Sequence, residues 1–214
     1  MSKSIAVFGI GRFGRSLALT LSEAGADVMV VDGDENVIEK IADKVTYAIK
    51  ADLKSDEAIQ ALGLEDMDAV VVSMGSDLKA SIMSVMVSKE MGVPFVMAKA
   101  ADERMGAILT KVGADKIIYP EEETGERVGR VLASDTFSEL FDIDDNLCII
   151  EMHPKKDWVG KNLIELNLRG KFNMNVIAIK DADKMQSSID PKKPLGKEDT
   201  LYVILDKKDI KNIQ

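Results

Sequence analysis

The sequence predicts an α/β protein, a doubly wound parallel sheet of six strands with a second, smaller α+β domain behind it. Two observations carry this. From the start to about residue 133, short apolar runs alternate with helical segments, the pattern of strands laid parallel with helices over both faces. From about Asp142 the rhythm changes: strand signals crowd together, separated by the turn-rich stretch 191–198.

Residues 5–8 form a short apolar run that reads as a buried strand, and Gly9, Gly11 and Gly14 follow at once in GxGxxG spacing. Leu17, Leu19 and Leu21 then open a helix. Each glycine has a mechanical task. The first permits the tight turn, the second lets backbone approach a pyrophosphate, and the third lets helix and strand pack closely. The phosphate then rests on free N–H groups at the positive end of the helix. Residues 27–31 are the next strand, with Asp32 at its C-terminal end. Lying about twenty residues past the glycines, that carboxylate is placed to accept the hydroxyls of a ribose. It also repels a 2′-phosphate, which favours an unphosphorylated adenosine ribose over NADP.

The alternation continues through a helix at 36–42, a strand at 46–49, a helix at 56–62 and a strand at 69–73 that ends at Met74-Gly75. A helix at 78–91, a strand at 94–98, a helix at 104–112 and a strand at 116–119 complete the sheet. Residues 121–140 read as one helix with a break near Ser134-Asp135. Val128, Val131, Leu132, Phe137, Leu140 and Phe141 give it an apolar face, which packs either on its own sheet or on a second copy. Strands at 147–150, 175–179 and 200–205, a short helix at 162–166 and a closing helix at 207–213 build the remainder. The expected division is a nucleotide-binding domain at 1–133, a helical crossover at 134–141 and a C-terminal domain at 142–214.

Ligands of such sheets bind beyond the C-terminal ends of the strands, near where strand order reverses. Phe13 in the loop and Gly75 after the fourth strand are therefore counted with Gly9, Gly11, Gly14 and Asp32. Arg12 sits at the phosphate end, where a guanidinium neutralises added anionic charge; the alternative is a surface arginine without a ligand. Lys99 ends a strand and either reaches the crevice or is solvated there. Asp52 either meets an adenine edge or caps a turn. Glu121, Glu122 and Glu123 follow Pro120. Acidic residues in a first turn complement the helix dipole; the sharper alternative is that Glu121 supports a hard cation beside bound phosphates.

Composition narrows the function classes. A net charge of −9 argues against nucleic acid, whose backbone is held by clustered Lys and Arg. No apolar run approaches the ~20 residues that span a bilayer, and no signal peptide precedes Ile5, so action at a membrane is expected only through a separate partner. The single Cys148 suits a reducing cytoplasm and reads as a buried small hydrophobe. His153, the only histidine, has no nucleophile or carboxylate at recognisable spacing. Met83, Met86 and Trp158 read as core. The pocket is thus expected to sense rather than react. The main alternative is an NAD-dependent oxidoreductase with Lys99 as base, since this fold hosts both; a DNA-binding nucleotide sensor is a third reading.

With these residues placed, the chain resembles the RCK (regulator of potassium conductance) family, in particular the cytoplasmic gating subunits of bacterial Ktr/Trk potassium uptake systems. The resemblance covers nearly the whole chain. Phe8-Gly9-Ile10-Gly11-Arg12-Phe13-Gly14, Val31-Asp32, the run from Gly113-Ala114-Asp115 to Pro120-Glu121, and the run from Asn162 to Arg169 carry it. It implies a Rossmann-type nucleotide domain holding ATP or ADP, or NAD(H), without enzymatic turnover. Asp32 would hold the ribose, the glycine loop the phosphates, Arg12 a terminal phosphate of its own nucleotide or of the adjoining subunit's, and Glu121 a Mg or other cation between nucleotides. The resemblance further implies a homodimer formed through the crossover around 125–141, assembling into an octameric ring. That ring would lie at the inner face of the cell membrane beneath a membrane potassium-translocating subunit. In some relatives the C-terminal domain is similar to a cyclic di-AMP receptor, and Leu163, Ile164, Arg169, Asn175 and Pro191 match positions used there.

Overall fold

Six strands of the N-terminal part run parallel in the order β3-β2-β1-β4-β5-β6, in a computed structural model that describes residues 2–181 and 184–213. Met1 and Gln214, the outermost ends of the expected domains, lie outside the described residues. The strands are β1 (Ser4–Phe8), β2 (Asp27–Asp32), β3 (Tyr47–Lys50), β4 (Ala69–Val72), β5 (Phe95–Lys99) and β6 (Lys116–Ile118). The helices between them are α1 (Arg12–Glu23), α2 (Glu35–Glu39), α3 (Asp56–Gln60), α4 (Leu78–Glu90) and α5 (Glu103–Lys111). The expected parallel sheet is therefore present, each element within a few residues of its predicted bounds.

The reason is visible in β1. Ala6 and Phe8 point into a core shared with Met29, Val31, Val70, Val72 and residues of α4 and α5. Val7 points the other way, against Val28, Val30 and Ala18 of α1. A strand covered on both faces has no position left for a polar residue, hence its unbroken apolar run. Each buried Val, Met or Phe among these residues contributes about 1.5–3 kcal/mol on burial. Asp115 ties the layers at the far end: its carboxylate accepts the Val96 N–H at 2.7 Å and pairs with Lys89 at 3.0 Å. Between β1 and β4 the strand order reverses, which opens a crevice at the C-terminal ends of the strands.

Two compact units divide between Glu121 and Glu122. Helix α6 (Pro120–Leu132) begins in the first and continues in the second. The second contains an antiparallel sheet in the order β10-β9-β11-β8-β7, from β7 (Phe137–Asp142), β8 (Leu147–Met152), β9 (Asn175–Asp181), β10 (Lys184–Gln186) and β11 (Thr200–Asp206). Two short helices, α7 (Leu163–Leu166) and α8 (Leu168–Phe172), precede β9, and a 3-10 turn at Lys207–Asn212 closes the chain. Asn162 caps α7 in a reciprocal box with Glu165. Trp158 and Cys148 lie in this unit's core as expected.

One expectation is corrected. The helix predicted through Leu140 ends at Leu132, and residues 137–141 of the supposed helical crossover, together with Asp142, form β7. Phe137 and Leu140 are both buried, three apart as on a helix. A register shift between Phe137 and Glu139 puts them on one face, opposite Met152 and Ile150. An extra residue in a bulge thus imitates helical spacing.

On α4, Ser81 donates to the Met74 carbonyl at 2.8 Å and Ser88 to the Ser84 carbonyl at 2.6 Å. The fully buried Ser84 hydroxyl has no hydrogen-bond partner among the described residues. Replacing it removes an uncompensated polar group, so Ser84→Ala should stabilise the protein by about 1 kcal/mol. Thermal or urea unfolding would register this as a higher midpoint; a lower one would mean the hydroxyl is satisfied.

Candidate functional site

The crevice at the strand ends is a cleft of about 650 Å³. Seven of its lining residues are candidates from the sequence: Gly9, Gly11, Asp32, Asp52, Gly75, Lys99 and Glu121. The glycine loop is held from three sides. Gly9 donates to the Val31 carbonyl at 2.8 Å, and its own carbonyl accepts the Ser73 hydroxyl at 2.5 Å. Asp32 accepts the Ile10 N–H on Oδ2 at 2.6 Å and the Asp34 N–H on Oδ1 at 2.9 Å. That carboxylate therefore fastens β2 to the loop while its remaining lone pairs face the cleft.

The glycines differ in what demands them. Gly9 has φ +85°, and a Cβ there would overlap Met74 Cγ. At Gly14 a Cβ would overlap the Gly9 carbonyl oxygen and come within 2.5 Å of Ser73 Oγ, so only glycine lets α1 approach β1 this closely. At Gly11 a Cβ would meet nothing within 4 Å. Protein packing leaves that space open, and an approaching phosphate is what would fill it. Helix α1 adds to the fit: Gly11 offers no side-chain cap, and its first turn has no acidic residue. Its free N–H groups and positive dipole end face an anion without competition.

Both lysines along the walls are paired. Lys99, at the end of β5, forms an ion pair with Glu121, which keeps the Glu121 carboxyl below the usual carboxylate range. The Lys99 ammonium stands 6.0 Å from the centre of the Phe13 ring. Lys54 pairs with Asp77 at 2.7 Å, raising the ammonium's pKa and lowering the carboxyl's. Asp52 accepts the Lys54 N–H at 3.0 Å, the turn-capping reading, and also faces the cleft. Lys54, Ser76 and Asp77 escaped the sequence reading. Their only signal was position in the loops after β3 and β4.

Arg12 does not line the cleft. It opens α1 and is exposed, while Phe13 is partly buried and Gly14 lies behind the loop. Among the described residues no group of three or more His, Cys, Asp or Glu is arranged to hold a metal. In the second unit, Leu163, Ile164, Arg169 and Asn175 line one depression of about 330 Å³, together with Asn167 and Met174. Pro191 is not part of it. His153 donates through Nδ1 to the Asp199 carbonyl at 3.0 Å, a local structural bond.

Residues 5–120 match the model of the TrkA-N domain family. Over 204 residues the chain is 31% identical to Ktr system potassium uptake protein C of Bacillus subtilis (strain 168), covering 95% of this chain and 92% of that one. The chain belongs to the RCK family. Ktr system potassium uptake protein A of Vibrio alginolyticus is 32% identical over 202 residues, 94% of this RCK chain and 92% of its own length. In fold, this RCK chain is similar to the GsuK channel bound to NAD, with TM-score 0.67 and 16% identity. The match covers 98% of the RCK chain, which spans 38% of that channel chain. It is also similar to the TrkA-N domain of the inner membrane protein ybaL from Escherichia coli, with TM-score 0.55 and 16% identity, over 62% and 98% of the two chains. Among the described residues no helix is long and apolar enough to cross a membrane.

Gly14→Ala should destabilise the protein by about 1–3 kcal/mol through overpacking of α1 on β1. Thermal unfolding would show it, and an unchanged midpoint would mean the close approach of Gly14 to Gly9 is not a constraint.

Proposed function

We propose that this protein is the regulatory subunit of a potassium uptake system, binding an adenine nucleotide in the β1–β4 cleft and gating a membrane potassium-translocating partner. One observation carries the nucleotide part: an uncapped helix N-terminus, open space over Gly11 and the Asp32 carboxylate meet in a single cleft. Gly9, Gly11 and the first amides of α1 would take the phosphates, and Asp32 the ribose. ATP or ADP is the proposed ligand, with NAD(H) the alternative. Glu121, paired with Lys99 through one oxygen, would turn its remaining lone pairs to a cation there.

Sensing is favoured over the oxidoreductase reading because both lysines of the cleft are held by carboxylates rather than poised as bases. An ammonium has three donors and no lone pair with which to take a proton. Family membership favours the same choice. Val128 and the 81%-exposed Leu132 on α6 support a homodimer formed along that helix; the octameric ring at the inner face of the membrane is proposed from the family resemblance alone. Such a subunit is peripheral and cytoplasmic, attached through its partner. The depression around Arg169 supports cyclic di-AMP as a second ligand, its guanidinium suited to phosphate and Leu163 and Ile164 to an adenine face.

A nucleotide can bias a ring only by binding one arrangement more tightly than another. Arg12, exposed at the mouth of the phosphate loop, is the proposed reader of the γ-phosphate, its own or that of an adjoining subunit.

Calorimetric titration of the full chain should show saturable binding of ATP and ADP, with no consumption of NAD alongside candidate metabolites. Absence of heat at millimolar nucleotide, or steady NAD reduction, would overturn the reading. Arg12→Ala should reduce the preference for ATP over ADP by about tenfold, the loss of one charge-assisted hydrogen bond. An unaltered ATP:ADP ratio would remove Arg12 from that role.

A further inference from the structure

We propose that the Lys99–Glu121 ion pair is a latch that passes occupancy of the cleft to helix α6. The inference rests on the nucleotide reading above and adds the route by which binding leaves the site. The two partners are unequal. Lys99 is fixed: its side chain is only 14% exposed, and its stem lies across Gly75, where a Cβ would come within 2.9 Å of Cε. Glu121 is loose, with 71% of its side chain exposed. It is also the residue at which the first compact unit ends, and α6 carries the chain onward from it.

The Lys99 ammonium stands 6.0 Å from the ring of Phe13, the second residue of α1. It is therefore close to the uncapped N-terminus where a phosphate is attracted. An ammonium and a helix dipole acting together draw a polyphosphate oxygen from two sides. The arriving phosphate brings negative charge beside the Glu121 carboxylate, and the two anions repel. Lys99, held among buried atoms, cannot follow Glu121 outward. Glu121 can leave, because an exposed carboxylate exchanges an ion pair for water at little cost. In the empty cleft the first turn of α6 is tied to β5; in the filled cleft phosphate takes over the ammonium and the tie is released. The exchange of one anion for another on Lys99 is the differential interaction that a ligand-driven change requires.

The test is hydrogen exchange of the full chain with ADP as the probe, in EDTA so that no divalent cation bridges Glu121 to the ligand, alongside calorimetry. ADP should speed exchange of the α6 amides from Gly125 onward several-fold. Glu121→Gln should show that faster exchange without ADP and no further rise with it. The same variant should bind ADP about threefold more tightly, since no carboxylate competes for Lys99, and the gain should vanish at high salt, which a purely structural effect would not do. Lys99→Gln should also loosen α6 without any ligand. If ADP binds but α6 exchange is unmoved, or if neither variant alters it, the latch is wrong while the nucleotide reading stands. If ADP does not bind although both variants loosen α6, the nucleotide reading fails, and with it the trigger of the latch, leaving only a static tether.

Discussion

The Asp32 carboxylate holding the Ile10 N–H at 2.6 Å is the interaction on which the site depends. It fastens the end of β2 to the turn leaving β1, so the glycine loop has one shape before any ligand arrives. Ser73 completes the clamp from β4 by donating to the Gly9 carbonyl. The three central strands of the sheet thereby fix one short loop. A loop free to collapse would satisfy its own amides; a clamped one keeps the amides of α1 pointing at the cleft. Preorganisation of this kind is what lets backbone dipoles act on an anion without first being reoriented.

That clamp changes the meaning of a familiar sequence position. An acidic residue at the end of the second strand is ordinarily read as a ribose acceptor, and Asp32 does line the cleft. Its structural task leaves room for the proposed one, because each carboxylate oxygen accepts more than one hydrogen bond. On the walls, Lys54 and Lys99 are held by Asp77 and Glu121, so both ammonium groups of the cleft are paired, while Asp32 and Asp52 accept only backbone N–H groups among the described residues. The Lys99 pair differs from the Lys54 pair in one respect that matters. Its carboxylate lies on the helix that leaves the first unit.

The second unit obeys simpler rules. Its sheet buries Cys148, Ile150 and Met152 from β8 and Leu201, Val203 and Leu205 from β11 against Trp158, Leu166 and Leu168. The alternation along β8 and β11 is the period of a sheet with one face covered. Its helices are too short to be stable alone, and the Asn162–Glu165 capping box and this packing hold them in place.

What the sequence determined by itself was whatever depends on neighbours along the chain. The apolar runs of β1 and β4, the spacing of Gly9, Gly11 and Gly14, and Asp32 at a strand end are local patterns, and they were enough to specify the sheet and most of the cleft. Only the tertiary structure decided what depends on partners far apart. The bulge in β7 made Phe137 and Leu140 resemble a helix face until β8 was seen beside them. Lys54 and Asp77 carry no signal in the sequence, and Lys99 and Glu121 stand out there only singly, not as partners; the members of each pair are about 22 positions apart. They become pairs only because parallel strands bring the loops after β3, β4, β5 and β6 to one end of the sheet. Local periodicity fixes elements, while through-space charge pairing is set by topology, which no short stretch of sequence records.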